Sequence, residues 1–181
     1  MEKNGRPIPP PHLIKQQIIK DYQSKSKYKI LVESGTYYGD MIYAQKDNFK
    51  KIYSIELSEQ LYKLAANRFK KYNHINILEG DSGKVLKNIL AEINEPIIFW
   101  LDGHYSAGVT AKGDRNCPIL EEIDAIFSGP ILPHILLIDD ARCFIGENDY
   151  PTIEQLSSYI ANKNVKFKFS VEDDIIRYEI E

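Results

Sequence analysis

Five short runs along the chain are almost wholly apolar and stop abruptly at polar residues: "YKILVE", "KIYSIE", "INILEG", "IIFWLD" and "HILLID". Between them lie stretches with apolar residues at helical spacing: "DMIYAQKDNF", "SEQLYKLAANRFKKY", "SGKVLKNILAEI" and "PILEEIDAIF". Strands apolar on both faces that alternate with helices predict a parallel sheet covered on each side. Ser58 and Ser82 are expected as helix N-caps. Ahead of this alternation, "HLIKQQIIKDYQ" sets Leu13, Ile14, Gln17, Ile18 and Asp21 at helical spacing and predicts a leading amphipathic helix from about His12. Residues 1–10, with Pro7 and the run Pro9-Pro10-Pro11 beginning at their end, read as a flexible lead-in.

The C-terminal part changes period. "TIEQLSSYIANK" reads as a helix, and "VKFKFSVEDDIIRYEI" as two alternating runs around Glu172-Asp173-Asp174, the pattern of a hairpin. The expected architecture is one α/β domain over residues 1–181: a three-layer sandwich whose mostly parallel sheet gains an antiparallel C-terminal hairpin. The first helix and the terminal hairpin are the surfaces on which a homodimer would form.

Each buried run ends in an acid: Glu33, Glu56, Asp81, Asp102 and the pair Asp139-Asp140. Acids are 26 of 181 residues, so one such placement carries no weight, but five in register do. Ligands of open α/β sheets bind at the carboxyl ends of the strands, and carboxylates there suit cations, hydroxyls and amine donors. In the first loop, "VESGTYYGD", Tyr37 stands where a phosphate cradle would need glycine, with an acid just before it. A ligand with an ammonium, a ribose and an adenine but no phosphate fits better. The missing G-x-G-x-x-G weighs against the alternative of an NAD-dependent oxidoreductase, in which Glu56 would read the ribose.

On "ESGTYYG", "IYSIELS" and "LEGDS" the chain resembles the class I S-adenosylmethionine-dependent methyltransferases, from about residue 28 to the end, and so a Rossmann-like fold. The resemblance implies that Glu33 and Gly35 hold the methionine end of the cofactor. It implies too that Glu56 accepts the ribose hydroxyls and that Asp81 and Ser82 meet the adenine. Thr36, Tyr37, Gly39, Leu57 and Asp102 complete the implied cofactor set. Tyr37 departs from the family's commonest loop, which has a glycine there.

The fourth and fifth exits resemble the metal-dependent small-molecule O-methyltransferases, including the catechol type. This implies Asp102, Asp139 and Asp140 as ligands of Mg²⁺ or Mn²⁺, holding the acceptor hydroxyl for in-line attack. The family's lysine base has no equivalent at the fourth strand, where His104 is the nearest candidate; Asp102 and His104 are the expected catalytic residues. A histidine satisfying a turn is the plain alternative for His104, as a turn and helix cap is for Asp139-Asp140. The loop "GHYSAGVTAKGDRN" is long for a strand-to-helix connection, and Tyr105, Lys112 and Arg115 are candidates to contact an acceptor.

Composition narrows the partners. A net charge of −3 gives no global electrostatic case for nucleic acid or an anionic membrane. No apolar run nears the length of a membrane helix, and the N-terminus lacks a signal peptide's apolar core. Cys117 and Cys143 read as reduced structural thiols of a cytoplasmic protein. The expectation is therefore methylation of a small hydroxylated acceptor, a sugar or natural-product-like compound. A non-catalytic S-adenosylmethionine-binding module is the competing class.

Overall fold

A computed structural model describes residues 9–103 and 117–181. Its strands, β1 (Ile30–Ser34), β2 (Lys51–Glu56), β3 (Ile75–Glu79), β4 (Ile97–Leu101), β5 (Ile135–Ile138), β6 (Phe167–Glu172) and β7 (Ile175–Ile180), form one sheet in the order β3-β2-β1-β4-β5-β7-β6. The first five are parallel; β7 runs antiparallel to β5 and to β6. The order reverses between β1 and β4, the crevice where open α/β sheets take ligands.

Among the described residues six α-helices cover the sheet: α1 (His12–Ser26), α2 (Asp40–Gln45), α3 (Glu59–Phe69), α4 (Ser82–Leu90), α5 (Ile119–Ile126) and α6 (Ile153–Ala161). The β4 run explains the layering. All five of its residues are buried: Ile97, Phe99 and Leu101 join the core under α4, α5 and α6, and Ile98 and Trp100 join the core under α1, α2 and α3. A strand enclosed on both faces has no polar side to show, hence "IIFWL". The expected three-layer sandwich with an antiparallel end is what forms.

The hairpin turn is two residues long. Glu172 pairs with Ile175, and Asp173 and Asp174 take φ of 53° and 60°. Positive φ at both central positions matches the right-handed twist of the flanking strands, and aspartate tolerates it.

Two local expectations are corrected. The buried stripe of α1 is Lys15, Ile18 and Ile19, with Tyr22 packed against the same core, while Leu13 is 74% exposed and Gln17 bonds Asp21 on the open face. Positions 15, 18, 19 and 22 form one helical face as surely as 13, 14, 17, 18 and 21 do; the lysine hid the first set because burial of an ammonium needs a partner that sequence does not show. The second correction concerns α4, whose N-cap is Asp81 rather than Ser82: the Asp81 carboxylate accepts the Gly83 N–H at 3.0 Å. Ser58 caps α3 as expected. Thr152 and Gln155 form a reciprocal capping box on α6. Among the described residues no helix is long and apolar enough to cross a membrane.

Candidate active site

The loop from β1 to α2 is fixed by its two glycines. Gly35 has φ of 86°, and a Cβ there would lie 2.3 Å from the Asp102 carbonyl oxygen, so the β1 and β4 exits touch backbone to backbone. Gly39 has φ of 79°, and a Cβ would meet the Phe69 ring at 2.5 Å. Between them Tyr37 takes φ of 50°, a left-handed conformation that glycine would hold without strain. The tyrosine therefore follows the turn that the glycine pattern requires. Its ring is about half exposed and lies edge-on to Tyr38. Arg68 of α3 secures the loop from outside, donating to the Tyr38 carbonyl and, at 2.7 Å, to Asp40.

Glu33 and Glu56 flank this loop, and both are buried. Glu56 accepts the backbone N–H of Tyr37 at 2.8 Å on one oxygen and that of Ser58 at 2.9 Å on the other. Each carboxylate oxygen has two lone pairs, so the group is oriented and retains accepting capacity. Glu33 accepts a hydrogen bond from the Ser54 hydroxyl, which lies 2.6 Å from that of buried Thr36. Burial pushes the Glu33 carboxyl up to about 8, against the Ser54 bond, and the charge of Glu56 adds to the rise. Leu57, at the β2 exit, is partly exposed.

The adenine candidates are engaged within the protein. Asp81 caps α4 and pairs with Lys84 at 3.2 Å. The Ser82 hydroxyl donates to Glu122 at 2.6 Å. Glu122, on α5, is a buried acid that the sequence reading passed over, and burial raises it to about 7 against the Ser82 bond. It lies behind the β4 exit, since a Cβ on Gly103 would come within 3.1 Å of its carboxyl oxygen.

At the β4 and β5 exits the ladder runs one residue beyond the strands, with the Asp102 N–H bonded to the Ser34 carbonyl and the Asp139 N–H to the Leu101 carbonyl. Alternation from Leu31, Ile98, Trp100 and Leu137 then turns Glu33, Asp102 and Asp139 to the face under α1 and α2. Asp102 is raised well above the usual carboxylate range, first by burial, then by the charges of Asp139 and Asp140, with Lys15 opposing and Glu33 adding. Asp139 is raised by burial and by Asp140, against Lys15.

Lys15 is the residue the sequence reading missed here. Its ammonium lies 2.6 Å from Asp139, with which it is buried, and 3.7 Å from half-buried Asp140. Asp140 has φ of 58° and accepts from Arg142 at 2.8 Å; Arg142 also donates to Asp174 of the hairpin turn, whose carboxylate accepts the Arg142 backbone N–H at 2.8 Å. Of the implied metal ligands, Asp139 is thus held by a lysine and Asp140 by an arginine. Among the described residues no group of three His, Cys, Asp or Glu side chains converges as a metal would need. The donor set does not fit the Mg²⁺ or Mn²⁺ that the resemblance implied. His104, with Tyr105, Lys112 and Arg115, lies outside the described residues.

Solved structures share this fold. An O-methyltransferase from Bacillus cereus in complex with S-adenosylhomocysteine superposes with a TM-score of 0.65 at 11% identity, over 97% of this chain and 83% of that one. An S-adenosylhomocysteine-bound methyltransferase from Podospora anserina gives 0.62 at 16%, over 92% and 78%. The chain has the class I methyltransferase fold. An rRNA methylase from Streptococcus thermophilus shares it at a TM-score of 0.53 and 15% identity, over 91% and 93%, so the fold alone does not choose the acceptor. No family model matches the sequence. No curated protein matches it either.

Proposed function

We propose that the chain is an S-adenosylmethionine-dependent methyltransferase that methylates a hydroxyl of a small acceptor, a sugar or natural-product-like compound. The observation that carries this reading is the pair of buried carboxyls, Glu33 and Glu56, at adjacent exits around a loop whose glycines permit close backbone approach. The residues suit the cofactor. Glu56, oriented by two backbone N–H groups, has lone pairs for the ribose hydroxyls. Glu33, a buried carboxyl raised to about 8, is of the kind that an arriving ammonium ionises. S-adenosylmethionine supplies an electrophilic methyl on its sulfonium. Gly35, Thr36, Tyr37 and Gly39 shape the loop around it, Leu57 offers apolar surface beside Glu56, and the backbone at Asp81 and Ser82 borders the adenine end.

Asp102 occupies the acceptor side, where it orients the acceptor hydroxyl, and His104, two residues on in the sequence, is the candidate base. Carboxyls at the β4 and β5 exits hydrogen-bond hydroxyls, and the net charge of −3 gives no global electrostatic case for nucleic acid, which favours a neutral hydroxylated acceptor.

Calorimetric titration with S-adenosylmethionine, S-adenosylhomocysteine and NAD tests the reading. Both sulfur nucleosides are expected to bind, and Glu56→Ala to weaken them about tenfold or more, the loss of roughly 1.4 kcal/mol. Asp102→Asn should spare binding and lower turnover. Binding of NAD with neither sulfur nucleoside would overturn the proposal.

A further inference from the structure

We propose that Lys15 is the resident cation of the acceptor end, a positioning residue whose ammonium stands where related enzymes are expected to keep a divalent ion. The inference uses the geometry of the β5 exit and holds whether or not the acceptor class above is right.

Two carboxylates converge on one point. The nearest Asp139 oxygen is 2.6 Å from Lys15 Nζ and the nearest Asp140 oxygen 3.7 Å. Asp140 reaches that point from a backbone at φ of 58°, and Arg142, itself tied to Asp174, donates at 2.8 Å to the same Asp140 oxygen. The Asp140 N–H also bonds the Asp139 carboxylate at 2.8 Å, which closes a small ring of fixed geometry. Lys15 reaches the point from above: Ile18, Ile19 and Tyr22 anchor α1 on the sheet, and Lys15 is the next residue of that stripe toward the rim. The Gln45 side chain, bonded at 2.8 Å to the Gln16 carbonyl, ties the same turn to α2.

An ammonium buried to this degree is stable only beside its counter-charges, and the converse holds for the carboxylates. The pair is therefore mutually required. A lysine brings one positive charge and three donors at a fixed place, whereas a divalent ion brings two charges and exchangeable waters. The first arrangement fixes carboxylates permanently and needs no ion from solution. Removal of the ammonium leaves two carboxylates aimed at a vacated point, and one or two carboxylates with water are a sufficient set for a weak Mg²⁺ or Mn²⁺ site.

The test is titration of the whole chain with MnCl2 after treatment with EDTA, followed by calorimetry and by the electron paramagnetic resonance of free Mn²⁺. The wild type and Lys15→Arg are expected to show no saturable site at micromolar Mn²⁺. Lys15→Met is expected to gain a site about tenfold or more tighter, equivalent to roughly 1.4 kcal/mol, and to lose it again with Asp139→Asn. A saturable Mn²⁺ site in the wild type that Asp139→Asn removes would overturn the proposal. So would a folded Lys15→Met with unchanged Mn²⁺ affinity. If Lys15→Met does not fold, the double variant Lys15→Met/Asp139→Asn should, because it no longer buries an uncompensated charge; a double variant that melts no higher than Lys15→Met also overturns it.

Discussion

Glu33→Gln isolates the energetic consequence of burying an acid at the cofactor end. In the folded, ligand-free protein the Glu33 carboxyl is raised from an ordinary 4.5 to about 8 by burial. Its neutral form is therefore favoured in the fold, and the unfolded chain releases the proton first. Stability from this group is fully present below about 4.5 and is lost as the pH climbs toward 8, because the unfolded state then binds fewer protons. The displacement is roughly 3.5 pH units, and at about 1.4 kcal/mol per unit it amounts to at most roughly 5 kcal/mol. Glutamine has nearly the same shape, can bond Ser54, and does not titrate. The difference in unfolding free energy between Glu33→Gln and wild type should be small near pH 5 and grow in favour of the variant up to about pH 8, by roughly 2–5 kcal/mol. Urea denaturation across this range measures it. Glu122, raised to about 7, lowers the stability of both proteins over part of the same window and cancels in the difference, whereas Asp102, which feels the charge of Glu33, cancels only in part. A second readout connects the group to function. If an ammonium ionises Glu33 on arrival, binding of S-adenosylmethionine at pH 7 should release close to one proton from the wild type and almost none from the variant, measured by calorimetry in buffers of different ionisation enthalpy. A stability difference that stays flat with pH would refute the claim that Glu33 is neutral in the fold.

Two further perturbations test the frame around the site. Gly35→Ala sets a Cβ 2.3 Å from the Asp102 carbonyl at a φ of 86°; thermal and urea unfolding should show a loss beyond the ~1–2 kcal/mol that a left-handed conformation alone costs an L-residue, and a loss below that would mean the β1 and β4 exits are not pressed together. Asp174→Asn keeps a side chain suited to positive φ but removes the charge that holds Arg142; about 1–3 kcal/mol of stability should go, most of it absent in an Arg142→Gln background, and strictly additive effects would show that the hairpin turn does not brace the Asp140 loop.

The sequence made the layers legible because β strands buried on both faces have little freedom of composition. "IIFWL" and "ILLI" could be placed centrally, and the acids that follow them at strand exits, from pattern alone. Lys15 was not legible. A lysine on an apolar helical stripe looks like an error in the stripe until its partner, 124 residues away, is known, and the reading drew the wrong face of α1 as a result. Glu122 was hidden for the same reason inside "PILEEIDAIF": two adjacent glutamates give no sign of which one turns inward. Tyr37 left the loop path open. A bulky residue at a glycine position does not say which way the backbone turns, and the structure shows the left-handed conformation, with the Tyr37 N–H bonded to Glu56. Local rules break at such points because the tertiary structure over-determines them, and these are the places where function concentrates.

These departures also divide the site's charges. Glu33 and Asp102 lie on adjacent strands, on one face, where the strand order reverses, and burial raises both. Carboxyls so placed are poor ligands for an anion and strong ones for a cation that arrives desolvated, since only a positive charge repays their ionisation. At the β5 exit that charge is built in, as Lys15 on Asp139. At the β1 exit, Ser54 donates to Glu33 without neutralising it. A ligand with its positive charge at one end would therefore be drawn toward the β1 side and away from the β5 side, where Lys15 opposes it. The polarity that would seat a cationic ligand in a single orientation develops as Glu33 ionises on its arrival. Reversal of that polarity is testable: Lys15→Met should allow cationic analogues to bind in a second mode, seen as a binding stoichiometry above one, whereas Lys15→Arg should not.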